Sequence, residues 1–201
     1  MTTFYLVRHG ETDWNKERRL QGKTDNDLNE SGVKQAEALA SILRDVPFDL
    51  AFSSDLVRAK RTAEIITLEK KLHVATTKFI RERDFLHLEG KTSDVFVNYL
   101  KLMSGLSHEE RSKHRIAEGI ESDEEVISRL FTFLRETAIT HPNKTILVGS
   151  HSGLLRLLLI HTGYISYQQM DHKRFQNGAY IIFESDGIDF FIKKVVGIED
   201  R

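Results

Sequence analysis

Four consecutive apolar residues, Phe4 to Val7, lead directly into Arg8-His9-Gly10 near the start of the chain. A short uninterrupted apolar run is typical of a strand that is buried on both faces. Gly10 lets the backbone turn or approach a ligand closely. Because open α/β sheets bind ligands at the carboxyl ends of their strands, this run predicts a strand that carries an arginine and a histidine to a ligand site. The alternative is an ordinary strand end with two solvated polar residues.

Strand-like and helix-like segments alternate along the rest of the chain. Short apolar runs predict strands at 48–52, 74–79 and 144–149, and spacings of three and four predict helices at 31–44, 56–68, 95–103, 122–140 and 154–161. Two later strands, at 178–184 and 189–196, are joined by the turn signal Ser185-Asp186-Gly187. The alternation predicts an α/β fold, a doubly wound and mostly parallel sheet with helices on both faces.

The length and composition fit one soluble domain. The chain has 201 residues, of which 40% are hydrophobic and 29% charged, which suits a single domain over 1–201. The least regular part, at about 83–120, is expected to form a helical insertion that covers the active-site end of the sheet and sets specificity. The fold class and this arrangement are expectations for the structure to test.

Charge and cysteine content exclude several classes of function. The net charge of -1 gives no overall attraction to nucleic acid or to an anionic membrane. The absence of cysteine excludes disulfides, thiolate zinc sites and a cysteine nucleophile. No signal-like segment and no apolar run of about 18 residues occurs, so a cytoplasmic protein with no membrane partner is expected.

A second histidine follows a second strand in the same way as the first. The segment Ser150-His151-Ser152-Gly153 comes directly after the predicted strand 144–149. Strand 48–52 leads in turn to Arg58, in the first turn of the following helix. Because the carboxyl ends of parallel strands meet at one edge, the two histidines are expected to lie there with Arg8 and Arg58, forming an anion pocket. The alternative is a pair of core or capping histidines and a surface arginine.

An acid for protonating a leaving alkoxide is available in the segment after strand 74–79. Glu82 and Glu89 both lie there, and their spacing alone does not single one out. A solvated surface role is the alternative for either carboxylate.

Two other kinds of chemistry fit the sequence poorly. A metal site is disfavoured because Arg8 and Arg58 would repel a cation and no His-x-His or His-x-x-x-His pair occurs. A serine hydrolase elbow needs serine at the centre of Gly-x-Ser-x-Gly, whereas Gly149 to Gly153 has His151 there. We therefore expect neither a metal site nor a serine nucleophile of this kind.

Several motifs together resemble the histidine phosphatase superfamily, which includes the cofactor-dependent phosphoglycerate mutases. Leu6-Val7-Arg8-His9-Gly10-Glu11-Thr12 resembles its signature. Further similar blocks follow in order, at 19–22, 27–36, 53–63, 81–83, 89–90, 119–122 and 150–153. The sequence departs from the family pattern at Asp27, where a proline is common, at Leu86 and His87, and at Ser152, where the family often has glycine. The resemblance covers nearly the whole chain and implies the family's doubly wound α/β fold.

The resemblance also implies a role for each site residue. His9 would be the nucleophile of a phosphohistidine mechanism, and Glu82 would protonate the leaving oxygen and then activate water. The phosphoryl oxygens would be bound by Arg8, Arg58 and His151. The pocket would be lined for substrate binding by Asn15, Gln21, Gly22 and Ser152. No metal or organic cofactor is implied.

Three functions remain open at this point. The first is a histidine acid-type phosphomonoesterase, a phosphatase that hydrolyses a small phosphorylated metabolite. The second is a cofactor-dependent phosphoglycerate mutase, although the family's mutases usually carry a longer insertion. The third is a non-catalytic phospholigand-binding protein. The sequence also leaves open whether the protein forms a homodimer. The basic residues of the insertion could either bind a polyanionic substrate or form a solvated charged face. They are Lys91, Lys101, Arg111, Lys113, His114 and Arg115.

Overall fold

A single six-stranded sheet forms the centre of the computed structural model, which describes residues 1–200. The strands lie in the order β3-β2-β4-β1-β5-β6. They are β1 (Thr2–Arg8), β2 (Leu50–Ser54), β3 (Val74–Thr77), β4 (Thr145–Ser150), β5 (Lys173–Ser185) and β6 (Phe190–Asp200). The first four are mutually parallel, and β5 pairs antiparallel with both β1 and β6. The predicted open, mostly parallel α/β sheet is therefore confirmed.

Helices cover both faces of this sheet. They are α1 (Asp13–Lys16), α2 (Glu30–Ile42), α3 (Val57–Thr67), α4 (Asp94–Leu102), α5 (His108–Lys113), α6 (Asp123–Thr140), α7 (Ser152–His161) and α8 (Tyr167–Asp171). Short 3-10 helices occur at Leu68–Lys70 and Leu86–Leu88. Within residues 1–200, no helix combines the length and the apolar character needed to cross a membrane.

Alternation along the central strands creates two separate cores. In β1, Phe4 and Leu6 pack with α6 and α7 on one face, while Val7 packs with α2 and α3 on the other. In β4, Val148 and Leu147 divide between the same two cores. Because successive side chains of a strand point to opposite faces, strands this apolar need cover on both sides. Their carboxyl ends are thereby held rigidly at one edge.

The structure differs from the sequence prediction at three elements. Strand β5 begins at Lys173 rather than at 178, because the chain continues through Asn177-Gly178 by a shift of register instead of turning. Helix α5 lies in the irregular region at 83–120, where only the helix at 95–103 was predicted, and α8 was not predicted either. Each of these helices follows a serine N-cap that forms a capping box with the residue three positions on, Ser107 with Glu110 and Ser166 with Gln169.

The region 83–120 packs through a small core of its own. Leu20, Phe85, Leu88 and Ile120 form this cluster, and Phe96 of α4 packs against it. The cluster places this region beside the carboxyl edge of β1 and β4, where its residues form part of the wall of a cavity.

Candidate active site

The two predicted histidines meet at the carboxyl edge of the sheet. Arg8 is paired with Ser150 in the parallel register of β1 and β4, and the His9 amide donates to the Ser150 carbonyl at 3.1 Å. The ring centroids of His9 and His151 lie 5.3 Å apart. Both rings are buried, with His151 fully inaccessible. The convergence follows from the parallel pairing of two strands that each end one residue before a histidine.

Arg58 is a fully buried cation below the same edge. It lies in the first turn of α3, and its Nη1 and Nη2 donate to the carbonyls of Thr24 and Gly22 at 2.8 and 2.7 Å. These bonds join α3 to the loop after Gln21. Arg8 is anchored similarly, because its Nη1 donates to the Phe175 carbonyl of β5. Both guanidinium groups are therefore held in place by backbone oxygens.

Burial weakens the basicity of both arginines but leaves them charged. The pKa of Arg8 falls to about 10, chiefly because of burial. The pKa of Arg58 also falls to about 10 for the same main reason. Both values lie well above neutral pH, so two cations flank the histidines, and an anion placed between them would interact strongly in a site with so little water.

The hydrogen bonding of His9 defines its tautomer. Its Nδ1 lies 2.7 Å from the Gly10 carbonyl oxygen, which can only accept, so Nδ1 carries the proton. Burial, reinforced by the Arg58 and Arg8 cations, holds the pKa of His9 well below the ordinary value of 6.5. The ring is therefore neutral at physiological pH, and Nε2 carries the free lone pair that a nucleophile needs.

Glu82 lies in the cavity wall, held by backbone donors. The Gly153 amide donates to its Oε2 at 3.0 Å, and the Arg83 amide donates to its Oε1 at 2.9 Å. Gly153 is the second residue of α7, so the carboxylate lies at the positive end of that helix. A Cβ at Gly153 would lie 2.2 Å from Glu82 Oε1, which explains glycine at this position.

The structure distinguishes the two glutamates that spacing along the chain did not separate. Glu89 accepts hydrogen bonds from the backbone amides of Lys23 and Thr24 at 2.8 and 2.9 Å, and from that of Phe85 at 3.2 Å. Its carboxylate thus organises the loop that carries Gly22. Glu82 lines the cavity, whereas Glu89 does not line it and holds the loop that forms part of its wall.

Most of the predicted site residues line one cavity of about 910 Å³. The predicted residues in its wall are Arg8, His9, Asn15, Gln21, Gly22, Arg58, Glu82 and Ser152. His151 lies behind this wall, in contact with the His9 ring. The structure therefore brings together the whole predicted set.

Buried polar atoms without a partner concentrate around His9. Within residues 1–200, Arg8 Nε, Arg58 Nε and both ring nitrogens of His151 are buried and make no hydrogen bond. Burial also holds the pKa of His151 well below 6.5, so its neutral ring has one N–H to donate. Buried polar groups rarely lack partners in native proteins. These donors suit an anion with several oxygens, such as a phosphoryl group.

Three further residues organise the site without having been singled out in the sequence. Asn177 Nδ2 donates to the His9 carbonyl at 3.1 Å and to Asn15 Oδ1 at 3.2 Å. The Thr62 hydroxyl accepts from the Gly10 amide at 3.0 Å. Arg83, next to Glu82, lines the cavity. The pair Asn177-Gly178 has the composition of a turn, so the sequence carries no signal that Asn177 belongs to a site.

The basic residues of the insertion lie elsewhere. Arg111 is buried against Asp171, Lys113 pairs with Glu109, and Arg115 is exposed. Among the described residues that line the cavity, none belongs to the basic set expected from the sequence. Residues 1–200 also contain no group of three or more His, Asp or Glu side chains arranged to hold a metal ion.

A comparison of the sequence with known protein families identifies the family to which this chain belongs. The family model of the histidine phosphatase superfamily (branch 1) matches residues 4–196. The chain belongs to the histidine phosphatase superfamily. The resemblance drawn from the motifs is thus confirmed, and the match includes both histidine segments of this superfamily member.

Individual relatives are consistent with that assignment. A Bacillus subtilis protein described as the uncharacterized phosphatase PhoE is 36% identical over 162 residues, 79% of this chain and 76% of the relative. A metal-independent phosphoserine phosphatase from Arabidopsis thaliana is 31% identical over 173 residues, 80% of this chain and 68% of the relative. A solved phosphoserine phosphatase from Entamoeba histolytica, in complex with phosphoserine, is 27% identical with a TM-score of 0.81, covering 97% of this chain and 96% of that one. These relatives support a phosphatase.

Proposed function

We propose that this protein hydrolyses small-molecule phosphomonoesters in two steps through a phosphohistidine at His9. The observation that carries the proposal is the Nδ1 hydrogen bond to the Gly10 carbonyl, which leaves Nε2 of the buried His9 ring unprotonated and able to act as a nucleophile. The phosphatase names of the relatives support the reaction class. The enzyme would be a histidine acid-type phosphomonoesterase.

In the first step, His9 Nε2 attacks the phosphorus atom and the bond from phosphorus to the ester oxygen breaks. Protonated Glu82 gives its proton to the departing oxygen, and the alcohol leaves. Arg8, Arg58 and His151 donate hydrogen bonds to the three remaining phosphoryl oxygens. Their role is to stabilise the charge of an in-line transition state, which is the main requirement of phosphoryl transfer.

In the second step, a water molecule attacks the phosphohistidine. The Glu82 carboxylate takes a proton from this water, the bond between nitrogen and phosphorus breaks, and its electron pair returns to Nε2. Inorganic phosphate leaves and His9 is neutral again. Glu82 ends the cycle protonated, as it began, so the cycle balances without a metal ion or an organic cofactor.

Substrate-binding roles follow from the cavity wall. Gln21 is buried, and its Oε1 has no hydrogen-bond partner within residues 1–200. The Asn15 side chain accepts from the Thr12 amide and from Asn177, which fixes its position beside His9. Gly22 and Ser152 complete the wall. We assign these four residues to positioning the phosphorylated end of the substrate.

The proposal is tested by phosphate release and by trapping of the intermediate. We expect purified protein to release phosphate from nitrophenyl phosphate in the presence of a chelator, and His9→Ala to lose at least about 1,000-fold in kcat. A rapid quench should reveal a protein-bound phosphoryl group that is labile in acid and stable in alkali. His73→Ala is the matched control, because His73 is exposed and does not line the cavity.

Three outcomes would each contradict a different part of the proposal. Unchanged phosphate release by His9→Ala would exclude His9 as the nucleophile. Phosphate binding without any turnover would favour a non-catalytic binding protein. Isomerisation of phosphoglycerate that requires bisphosphoglycerate would favour a mutase.

A further inference from the structure

Arg129 of α6 holds the stretch of backbone that leads to Glu82. Its Nη1 donates to the carbonyls of Phe79 and Arg81, at 2.8 and 2.6 Å. Its Nε and Nη2 donate to the two oxygens of the Glu121 carboxylate, at 2.8 and 3.1 Å. Arginine can make these contacts together because its N–H groups form a rigid planar fork. The mechanism proposed above makes no use of this side chain, which does not line the cavity.

The backbone held by Arg129 has no regular secondary structure of its own. Residues 78–85, which follow β3, form neither a helix nor a strand. Within this segment the Ile80 side chain is fully buried, and the Ile80 carbonyl accepts from Ser150 Oγ at 3.1 Å. Side chains from α6 and β4 therefore bind the carbonyls of three consecutive residues, 79–81. A segment without helix or strand hydrogen bonds depends on such partners to satisfy its carbonyls.

These contacts determine where the Glu82 carboxylate lies. The side chain of Glu82 is held from α7, because the Gly153 amide donates to its Oε2 at 3.0 Å. The main chain of Glu82 is held from α6, because Arg129 donates to the carbonyl of Arg81 just before it. The Arg81 carbonyl and the Glu82 nitrogen belong to one planar peptide group, so they move together. A general acid must lie about 2.6–3.2 Å from the atom that it protonates, and a displacement of about 1 Å costs about 100-fold in rate.

The Arg129 guanidinium is itself fixed by its carboxylate partner. The Arg129 side chain is 17% exposed, and Glu121 lies just before the N-cap of α6. Glu121 Oε2 also accepts from the Asp84 amide, at 3.4 Å. The pair therefore contacts the chain both before and after Glu82. Bidentate geometry is the case in which an arginine–carboxylate pair is strong and well ordered.

We propose that Arg129 is a positioning residue for the general acid, holding the backbone at 79–81 so that Glu82 reaches the departing oxygen. The proposal rests on the proposed function, because that function assigns the acid to Glu82. Because Arg129 does not line the cavity, it acts only through the backbone. Its loss should slow proton transfer to the leaving group and leave phosphoryl binding intact. The alternative is a purely structural contact, whose loss would lower the amount of folded protein without changing its chemistry.

Three substrates with different needs for a proton test this role. Nitrophenolate leaves readily without one, phenolate leaves less readily, and the alkoxide of glycerol phosphate needs one most. For Arg129→Met we expect kcat/KM to fall by about 10- to 100-fold for glycerol phosphate, by less for phenyl phosphate and by less than about 3-fold for nitrophenyl phosphate. Arg129→Lys should show a smaller graded loss, because an ammonium group can still donate to a carbonyl but lacks the planar fork. Ratios between substrates are independent of the fraction of protein that is folded.

A double-mutant cycle shows whether Arg129 acts through Glu82. In the Glu82→Gln background, Arg129→Met should change the ratio of kcat/KM for glycerol phosphate to that for nitrophenyl phosphate by less than about 3-fold, because the acid is already absent. An effect independent of Glu82 would lower this ratio by the same factor in both backgrounds. Arg135→Met is the matched control, since Arg135 is an exposed arginine of the same helix and does not line the cavity. We expect it to leave the ratio unchanged.

The outcomes separate this proposal from the proposed function. Equal losses for all three substrates in Arg129→Met, while Glu82→Gln shows the graded loss, would overturn the positioning role alone. The same change of ratio in both backgrounds would also overturn it. If Glu82→Gln shows no graded loss, the acid assignment of the proposed function fails, and the role of Arg129 fails with it.

Discussion

Replacing Gly153 by alanine should displace the carboxylate of Glu82, the proposed general acid, while leaving the fold intact. The Gly153 Cβ would lie 2.2 Å from Glu82 Oε1 and 3.0 Å from its Cδ. The carboxylate must therefore retreat by about 1 Å to reach an ordinary contact distance, and displacements of this size cost about 100-fold in rate. Because the carboxylate is the end of a flexible side chain, it can move without shifting the backbone of α7.

Stability should change little, because two small effects oppose each other. Alanine is favoured over glycine in a helix by about 1 kcal/mol, and loss of the Gly153 amide bond to Glu82 costs about 1 kcal/mol. For a chain of this length, an imbalance of 1 kcal/mol shifts Tm by about 2–4 °C. Thermal unfolding should therefore separate a displaced acid from a damaged fold.

The assay compares leaving groups that differ in their need for a proton. An alkoxide needs the acid, whereas nitrophenolate leaves readily without one, so kcat/KM should fall by about 100- to 1,000-fold for an alkyl phosphate and by less than about 10-fold for nitrophenyl phosphate. Glu82→Gln should show the same pattern, and combining it with Gly153→Ala should add little. Gly105→Ala is the control, because a Cβ there meets nothing within 4 Å.

Equal losses for both substrates, or wild-type activity on alkyl phosphates, would refute this account of Glu82. The first result would indicate that Gly153 acts on phosphoryl binding rather than on proton transfer. The second would indicate that the acid lies elsewhere.

Three other predictions follow from the same site. Arg58→Lys keeps the charge but loses the planar guanidinium that binds two carbonyls, so kcat/KM for nitrophenyl phosphate should fall by about 100-fold or more. A smaller loss would indicate that the site needs only a positive charge at this position. Asn177→Ala should lower kcat by about 10-fold with little change in KM, because it positions His9 through backbone contact; equal changes in both constants would exclude that role. Folding lowers the pKa values of His9 and His151, so below about pH 6.5 the unfolded chain binds more protons than the folded chain. As the pH falls below 6.5, the free energy of unfolding should therefore decrease by up to about 1.4 kcal/mol per pH unit for each histidine. Urea unfolding at several pH values should show a shallower slope in His151→Asn.

The parts of the fold that the sequence predicted well are those with strong local patterns. The apolar runs of β1 and β4 and the amphipathic helices α2, α3 and α6 were recognisable because burial on a face imposes a period on the chain. The same patterns implied that His9, His151 and Arg58 would meet, since parallel strands end at one edge. The start of β5 was predicted five residues late, because Asn177-Gly178 has the composition of a turn and only pairing with β6 continues the strand.

Choices between chemically equivalent residues needed the tertiary structure. Spacing along the chain does not single out Glu82 or Glu89, although the family resemblance implies Glu82. The contacts of Glu82 with Gly153 and of Glu89 with Lys23 show that only Glu82 lines the cavity. Nothing in the sequence distinguished Arg83 from the other arginines, and only the structure shows that it is buried against Asp123.

The sequence by itself determined the α/β architecture, the family and the residues able to carry phosphoryl transfer. Local periodicity and strand-end position are encoded by neighbouring residues, so they can be read along the chain. The tertiary structure decided the tautomer of His9, the position of Glu82 in the cavity wall and the burial of Arg83 against Asp123. Each of these depends on burial or on hydrogen bonds, and for the acid and for Arg83 the partners lie about 40 to 70 residues away along the chain. Spacing along the chain cannot specify such contacts, because they exist only after the chain has folded.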